Sequence, residues 1–245
     1  YEGPFYSYVL IPFLIGMTLL PILGFILSLQ KAQLWGGRKS AVGRSLISLG
    51  IGLFGWAGGM VVWNYYLFFS QVEVPFPSLA DLFFITIWPL WTYSMVQLSR
   101  ATGAKYGLKN IKGKLLAVMI AIITTLLSYY LLFVVAKDGM IDFNLNTPQL
   151  ILNFFYPIGD VVILMSAVLI YALSFNFLGG RYKKTVIVLL SGFTLNYVAD
   201  FIFLFTSTNG TYFNGHIVDL MYLTMMFILI LGVAGFSLPP NESEK

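Results

Sequence analysis

The chain of 245 residues has a composition that excludes an ordinary soluble domain. Hydrophobic residues make up 58% of it and charged residues 10%, whereas soluble domains average about 25% charged residues. The absence of cysteine excludes disulfides, thiolate metal sites and a cysteine nucleophile. A net charge of +4 would suit a nucleic-acid ligand, but membrane topology accounts for the excess, so we exclude nucleic acid as a partner.

Hydropathy predicts seven membrane-spanning helices, each with the roughly 20 apolar residues that cross about 30 Å of hydrocarbon. The first span has no basic segment before it and no small-residue cleavage site, so we interpret it as a retained helix rather than a signal peptide. The sequence therefore predicts an all-α integral membrane protein with a single transmembrane domain over residues 1–245. The seven spans lie near 8–29, 45–70, 79–99, 114–136, 150–176, 185–206 and 216–236.

The distribution of basic residues predicts the orientation of the chain in the membrane. All but one of the 14 Lys and Arg residues lie in the connections after spans 1, 3 and 5 or in the C-terminal tail, and Lys137 is the exception. Because basic loops stay in the cytoplasm, we expect a cytoplasmic C-terminus and an external N-terminus. We place the protein in the cell (inner or cytoplasmic) membrane as a multi-pass protein, with the lipid bilayer as its first partner.

The sequence also indicates an internal duplication of a three-helix unit. The matched segments recur in the same order: Gly36-Gly37-Arg38 with Gly179-Gly180-Arg181, Trp63-Asn64-Tyr65 with Ala199-Asp200-Phe201, and Asp81-Leu82-Phe83 with Asp219-Leu220-Met221. Because spans 1 and 5 enter the membrane from the same side, the two copies are parallel. We therefore predict a 3+1+3 parallel internal repeat, with repeat A over 5–100, a connector helix over 114–136 and repeat B over 149–238.

Four aspartates within the spans are the strongest indication of a functional site, because a carboxylate inside hydrocarbon is costly. Asp160 lies near the middle of span 5, and Asp200 lies about 9 Å below the outer end of span 6. Asp81 and Asp219 lie at the outer starts of spans 3 and 7, where Asp81 also fits a capping box with Ser78. Three arrangements would lower the cost of placing these carboxylates in hydrocarbon: a neutral hydrogen-bonded acid, a bound cation or amine, or a cavity that contains water.

Amide and aromatic side chains accompany the four acids. Asn196 precedes Asp200 by one helical turn on the same face, and Asn153 precedes Asp160 by two turns. Hydrogen bonding that only stabilises the bundle is the alternative function of these groups. The predicted ligand-binding residues are Asp160, Asp200, Asn196, Asn64, Asn153, Asp81, Asp219 and Tyr156.

A metal ion is a further alternative at the outer end of the bundle. His216, Asp219 and Asp81, together with Glu73, would form a mostly oxygen set that suits a divalent cation. The spacing of these residues along the chain is loose. A lone histidine at the start of a helix also has the simpler interpretation of an interfacial or structural residue.

Longer motifs extend these positions: Pro77-Ser78-Leu79-Ala80-Asp81-Leu82-Phe83-Phe84, Tyr156-Pro157-Ile158-Gly159-Asp160, Ala199-Asp200-Phe201, and Asn209-Gly210-Thr211-Tyr212 up to Asp219. They resemble the N-terminal multi-helix membrane modules of prokaryotic diguanylate cyclases and sensor histidine kinases, over roughly helices 2–3 and 5–7. The resemblance implies a sensory input region whose last helix feeds a cytoplasmic output domain, in cis or in trans. No such domain precedes Lys245, so we expect either a trimmed chain or a protein that stands alone.

The missing motifs exclude several classes of function. Residues 215–236 contain no lysine, which excludes retinal as a Schiff base, and the chain has no phosphate-binding loop, catalytic triad or paired haem histidines. We therefore expect neither an enzyme nor a cofactor.

The leading hypothesis is a membrane sensor that binds a small cationic, amine-bearing or amphipathic ligand in an outward-facing pocket between the repeats. A 3+1+3 transporter coupled to protons or cations is the second hypothesis. A membrane-embedded lipid-processing enzyme is the third. The oligomeric state stays open, with a homodimer among the alternatives.

Overall fold

The structure is a computed structural model that describes residues 4–70, 72, 74–139, 145–174 and 180–237. In this described part of the chain there are helices and no strands, and seven of the helices are long and apolar enough to cross a membrane. These helices are α1 Pro4–Leu34, α2 Ala41–Tyr65, α3 Leu79–Ala101, α4 Ile111–Tyr129, α5 Thr147–Ser174, α6 Gly180–Thr208 and α7 Ile217–Ala234. Each predicted span overlaps one of them, which confirms the prediction of an all-helical multi-pass membrane protein.

Side-chain caps determine where several of the helices begin. Ser40 and Asn110 accept hydrogen bonds from backbone N–H groups in the first turns of α2 and α4, which satisfies donors that have no partner within the helix. Ser78 and Asp81 form the predicted capping box at the start of α3. At the start of α7, His216 is the N-cap residue, and its Nδ1 accepts from the backbone N–H of the second helical residue at 3.3 Å.

Two helices continue into π-helical segments, and a short helical turn connects α3 to α4. The segment Tyr66–Ser70 extends α2, and the segment Tyr130–Val135 extends α4. The connecting turn covers Ala104–Gly107. The extensions lengthen the apolar spans of α2 and α4 to 30 and 25 residues, so both helices are long enough to cross the bilayer with some tilt.

Six of the seven helices pack in a closed ring. Contacts run from α1 to α2, α2 to α3, α3 to α5, α5 to α6, α6 to α7, and from α7 back to α1. The remaining helix, α4, contacts α5, and its π-helical extension contacts α6. Only 17% of the spanning window of α4 is buried within the protein, which is typical of a helix whose apolar side chains face lipid.

Small residues let the helices of the ring approach closely where aromatic side chains fill the space between them. A Cβ atom on Gly52 of α2 would lie 2.3 Å from Nε1 of Trp91 in α3. The indole of Trp91 is buried and stacks on Trp56 of α2 with ring centroids 6.3 Å apart. Small residues at such positions are how transmembrane helices gain van der Waals contact.

Candidate functional site

A cavity of about 1330 Å³ lies within the ring and extends to the connections α2–α3, α4–α5 and α6–α7. We call it the acidic cavity, because five aspartates line it. Its volume exceeds the roughly 300–1,000 Å³ of common small-molecule pockets, so it accommodates a small ligand with water or a larger amphipathic one. Among the side chains that line it are those of Trp56, Trp63, Phe84, Trp88, Tyr156, Tyr212, Tyr222, Asp81, Asp138, Asp160, Asp200 and Asp219.

Asp160 of α5 and Asp200 of α6 meet inside the acidic cavity. Their carboxyl groups are close enough to influence each other, and Asp160 is only 4% exposed. Nε1 of Trp88 in α3 donates to Asp160 at 3.0 Å. The carboxyl groups of α5 and α6 therefore face each other in the interior of the bundle, with an indole N–H beside one of them.

Two further donors hold Asp200 in place. Nδ2 of Asn196, one turn earlier in α6, donates to Asp200 at 2.5 Å, and Oη of Tyr222 in α7 donates at 2.7 Å. Tyr222 lines the acidic cavity, whereas Asn196 lies behind Asp200 and does not. The hydrogen-bonded network therefore connects α3, α5, α6 and α7, with Asn196 as a positioning residue.

Asp81 and Asp219 line the acidic cavity near the starts of α3 and α7. Asp81 accepts a hydrogen bond from Oη of Tyr156 at 2.5 Å, which joins α3 to α5. Asp219 accepts from Oη of Tyr212 at 2.9 Å and from the backbone N–H of Gly215 at 2.6 Å. Each acid lies in the first turn of its helix, where the helix dipole favours a negative charge. The structural and ligand-facing interpretations of these two acids are therefore compatible.

Lys137 is a basic residue of the acidic cavity that sequence analysis treated only as an exception to the topology rule. Its Nζ donates to the backbone carbonyl of Asn153 in α5 at 3.1 Å and lies 5.7 Å from the centroid of the Phe133 ring. Burial lowers the pKa of Lys137 from its ordinary value of 10.5. Asn153 also lines the cavity. Its backbone carbonyl, and not its side-chain amide, accepts the hydrogen bond from Lys137.

Asn64 and His216, two of the predicted site residues, lie outside the acidic cavity. Nδ2 of Asn64 donates to Oγ1 of Thr18 in α1 at 3.0 Å, and neither Asn64 nor His216 lines the acidic cavity. The His216 ring packs edge-on against Phe213 at 5.3 Å. The side chains of Asp81, Asp219 and His216 do not come together as a metal site. Asp81 lies in the first turn of α3, whereas His216 and Asp219 lie at the start of α7.

More generally, within the ranges that the structure describes, no three His, Asp or Glu side chains form a group that could hold a metal ion. Glu73, the fourth residue of the predicted metal set, lies outside these ranges.

Trp88 and Tyr222 are the hydrogen-bond donors to Asp160 and Asp200 that sequence analysis missed. Aromatic residues make up 17% of the chain, so the composition gives no means of choosing two of them. Tyr222 follows Asp219 by one helical turn, and this spacing indicates that it lies on the same face of the helix as an acid. For Trp88 the signal is Gly159, which precedes Asp160 and provides the space that the indole occupies.

Comparison of the chain with protein-family models, with curated proteins and with solved structures found no match. The fold and the cavity therefore define the class of the protein by themselves. It is an all-helical multi-pass membrane protein with an acidic, aromatic-walled cavity inside a ring of helices.

Proposed function

We propose that the protein is a membrane receptor that binds a small cationic, amine-bearing or amphipathic ligand in the acidic cavity. The observation that supports it is the meeting of Asp160 and Asp200 inside a cavity with aromatic walls. A protonated amine between the two carboxylates can pair with both negative charges. The rings of Trp88 and Tyr222 offer π faces that attract the same cation.

The charges around the cavity favour the same class of ligand. Five of the described residues that line it are aspartates, and one is a lysine. Low-dielectric walls with charges of one sign concentrate counter-ions of the opposite sign. A cation therefore gains free energy on entry, whereas an anion would meet repulsion except near Lys137.

We propose the orientation and the duplication as parts of the same hypothesis. The positive-inside rule favours an external N-terminus and a cytoplasmic C-terminus, and the connections that line the cavity then face the outside. The ring of contacts supports a parallel repeat of 5–100 and 149–238, because α3 contacts α5 and α7 contacts α1. A two-fold axis along the membrane normal would produce this pairing.

In this proposal α7 carries the signal. It contributes Tyr222 to the network around Asp200, and near its other end the backbone carbonyl of Phe236 accepts a hydrogen bond from Nε1 of Trp35 at 3.3 Å. A ligand that replaces Tyr222 as the partner of Asp200 shifts α7 and changes the contact with Trp35. The resemblance to sensor modules supports a cytoplasmic output domain, in cis or in trans, as the recipient.

Calorimetric titration of the protein in lipid nanodiscs with octylamine tests the proposal, with octan-1-ol as the neutral control of equal chain length. We expect the amine to bind well above the level of the alcohol and of empty nanodiscs. Asp160→Asn combined with Asp200→Asn should weaken octylamine binding at least about tenfold, the effect of losing a hydrogen bond to a charged group. Asp138→Asn, a change of an exposed acid at the cavity, is the matched control and should retain binding.

Two results would contradict the receptor proposal. In the first, wild-type protein binds octylamine and octan-1-ol equally well. In the second, the double variant, with a thermal unfolding profile that shows it to be folded, binds octylamine as tightly as the wild type does.

A transporter of the 3+1+3 type is the second candidate. The observation that favours it is the pair of intramembrane acids Asp160 and Asp200 in one cavity, because such acids relay protons in transporters. A transporter would carry octylamine across a liposome membrane, or move protons against it, and a pH-sensitive dye inside the liposomes would record the flux. The receptor proposal predicts binding without flux.

A further inference from the structure

Lys137 and the aspartate pair lie at two levels of the same cavity. Lys137 donates to the carbonyl of Asn153, and Asn153 precedes Asp160 by seven residues in α5. Seven residues are two helical turns, so the positions are separated by roughly 10 Å along the helix and lie on the same face. All three residues line the acidic cavity. The cavity therefore has an acidic level at Asp160 and a basic level at Asn153, whose positions are about 10 Å apart along α5.

Among the described residues, the contacts of Lys137 leave its charge without a negatively charged partner. The side chain is half-buried, and a backbone carbonyl and the Phe133 ring contribute only partial negative charge. Its neighbour Asp138 is exposed, in a left-handed backbone conformation with φ of 50°. An ammonium group that is partly removed from water favours an anionic partner. A single ammonium balances the charge of a monoanion.

The wall between the two levels is apolar and aromatic. Tyr156 and Pro157 of α5 lie between Asn153 and Asp160 in sequence and line the cavity, and Trp88 faces them from α3, with its ring centroid 5.0 Å from that of Tyr156. Such a wall buries a hydrocarbon chain favourably. A ligand that fills all three zones has a cationic end, an apolar middle and an anionic end.

We propose that the ligand of the acidic cavity is an amphipathic amino carboxylate, with its ammonium group at Asp160 and Asp200 and its carboxylate at Lys137. This proposal rests on the receptor function proposed above and specifies the class of its ligand. The separation of the two charges sets the length of the ligand. Amino carboxylates that are too short to extend from the aspartate pair to Lys137 make only one of the two contacts.

A series of ω-amino carboxylates from 4-aminobutanoate to 12-aminododecanoate, titrated into the protein in nanodiscs, tests the proposal. We expect affinity to pass through an optimum within the series, because both ends of the ligand must fit between the aspartate pair and Lys137, and 8-aminooctanoate is the reference probe of intermediate length. Lys137→Met should weaken 8-aminooctanoate at least about tenfold, because it removes one charge-assisted hydrogen bond. Octylamine, which has no carboxylate, should change less than about twofold, and Lys137→Arg should retain binding of the amino carboxylate.

The outcomes separate this inference from the receptor proposal. Octylamine binding that depends on Asp160 and Asp200, without selective loss of 8-aminooctanoate in Lys137→Met, overturns the inference and leaves the receptor proposal in place. Affinity that rises steadily with chain length, with no optimum, also overturns the inference. Failure of both probes to bind wild-type protein overturns both proposals.

Discussion

Gly159→Ala is the substitution whose effect the structure specifies most closely. A Cβ atom at this position of α5 would lie 1.6 Å from Cδ1 and 2.3 Å from Nε1 of Trp88 in α3. The indole is rigid and only 8% exposed, so relief requires the whole ring or one of the two helices to move. Either movement lengthens the 3.0 Å hydrogen bond from Nε1 to Asp160.

The expected loss of stability follows from the cost of overpacking and the cost of the lengthened hydrogen bond. Overpacking a close-packed interior costs about 1–3 kcal/mol, whereas hydrogen bonds between transmembrane helices contribute about 0.6 kcal/mol on average and about 1.7 at most. The steric cost therefore dominates, and the two together come to roughly 2–4 kcal/mol. The higher helix propensity of alanine offsets up to about 1 kcal/mol of this.

Gly16→Ala in α1 is the matched control for the propensity term. Its Cβ atom would lie 3.2 Å from Cδ1 of Leu223, the end of a flexible side chain that can turn away. We expect thermal unfolding in nanodiscs, followed by tryptophan emission, to show a midpoint several degrees lower for Gly159→Ala than for Gly16→Ala. Equal midpoints for the two variants would refute the close packing of Trp88 against Gly159.

Three further predictions concern single contacts. Tyr156→Phe removes the hydrogen bond to Asp81 but leaves the capping box, so unfolding in nanodiscs should show a loss of about 0.6 kcal/mol and no more than about 1.7; a larger loss would contradict this separation. Trp35→Phe removes the bond to the Phe236 carbonyl, and amide hydrogen exchange after residue 234 should then be faster, whereas unchanged exchange would exclude Trp35 as a restraint on α7. Burial lowers the pKa of Lys137 in the folded protein. Between that pKa and the ordinary value of 10.5, the unfolded chain therefore binds more protons than the folded one, so the free energy of unfolding should rise with pH in this window. Lys137→Met should remove the rise.

The sequence predicts the helices well because hydrocarbon leaves the backbone few alternatives. The start of α2 is predicted at residue 45 and observed at Ala41. The cap at Ser40 starts the helix at Ala41. Hydropathy predicts a later start, because Ser45 and Ser48 lower the mean hydropathy of the first turns. The capping box at Ser78 has a local sequence signature and was therefore predicted correctly. The π-helical segments have no comparable signature.

The candidate site was predictable in part. The acids could be found because each is costly inside hydrocarbon, and Asn196 could be assigned to Asp200 because one helical turn separates them. Asn64 had an equally polar side chain, but it faces Thr18 of α1 rather than the cavity. Position along a helix follows from spacing, whereas the partner across the bundle depends on how each helix is rotated. Trp88 is a partner of this second kind.

Photolabelling with an alkylamine that carries a diazirine tests the central claim most directly, because it reports where the cation binds. After irradiation in nanodiscs and peptide mapping, we expect labels on the cavity-lining segments around Trp88, Tyr156 and Tyr222. Asp160→Asn combined with Asp200→Asn should suppress them. Labels confined to the lipid-facing surface of α4, or labels on the cavity that persist in the double variant, would contradict binding of an amine by these two acids.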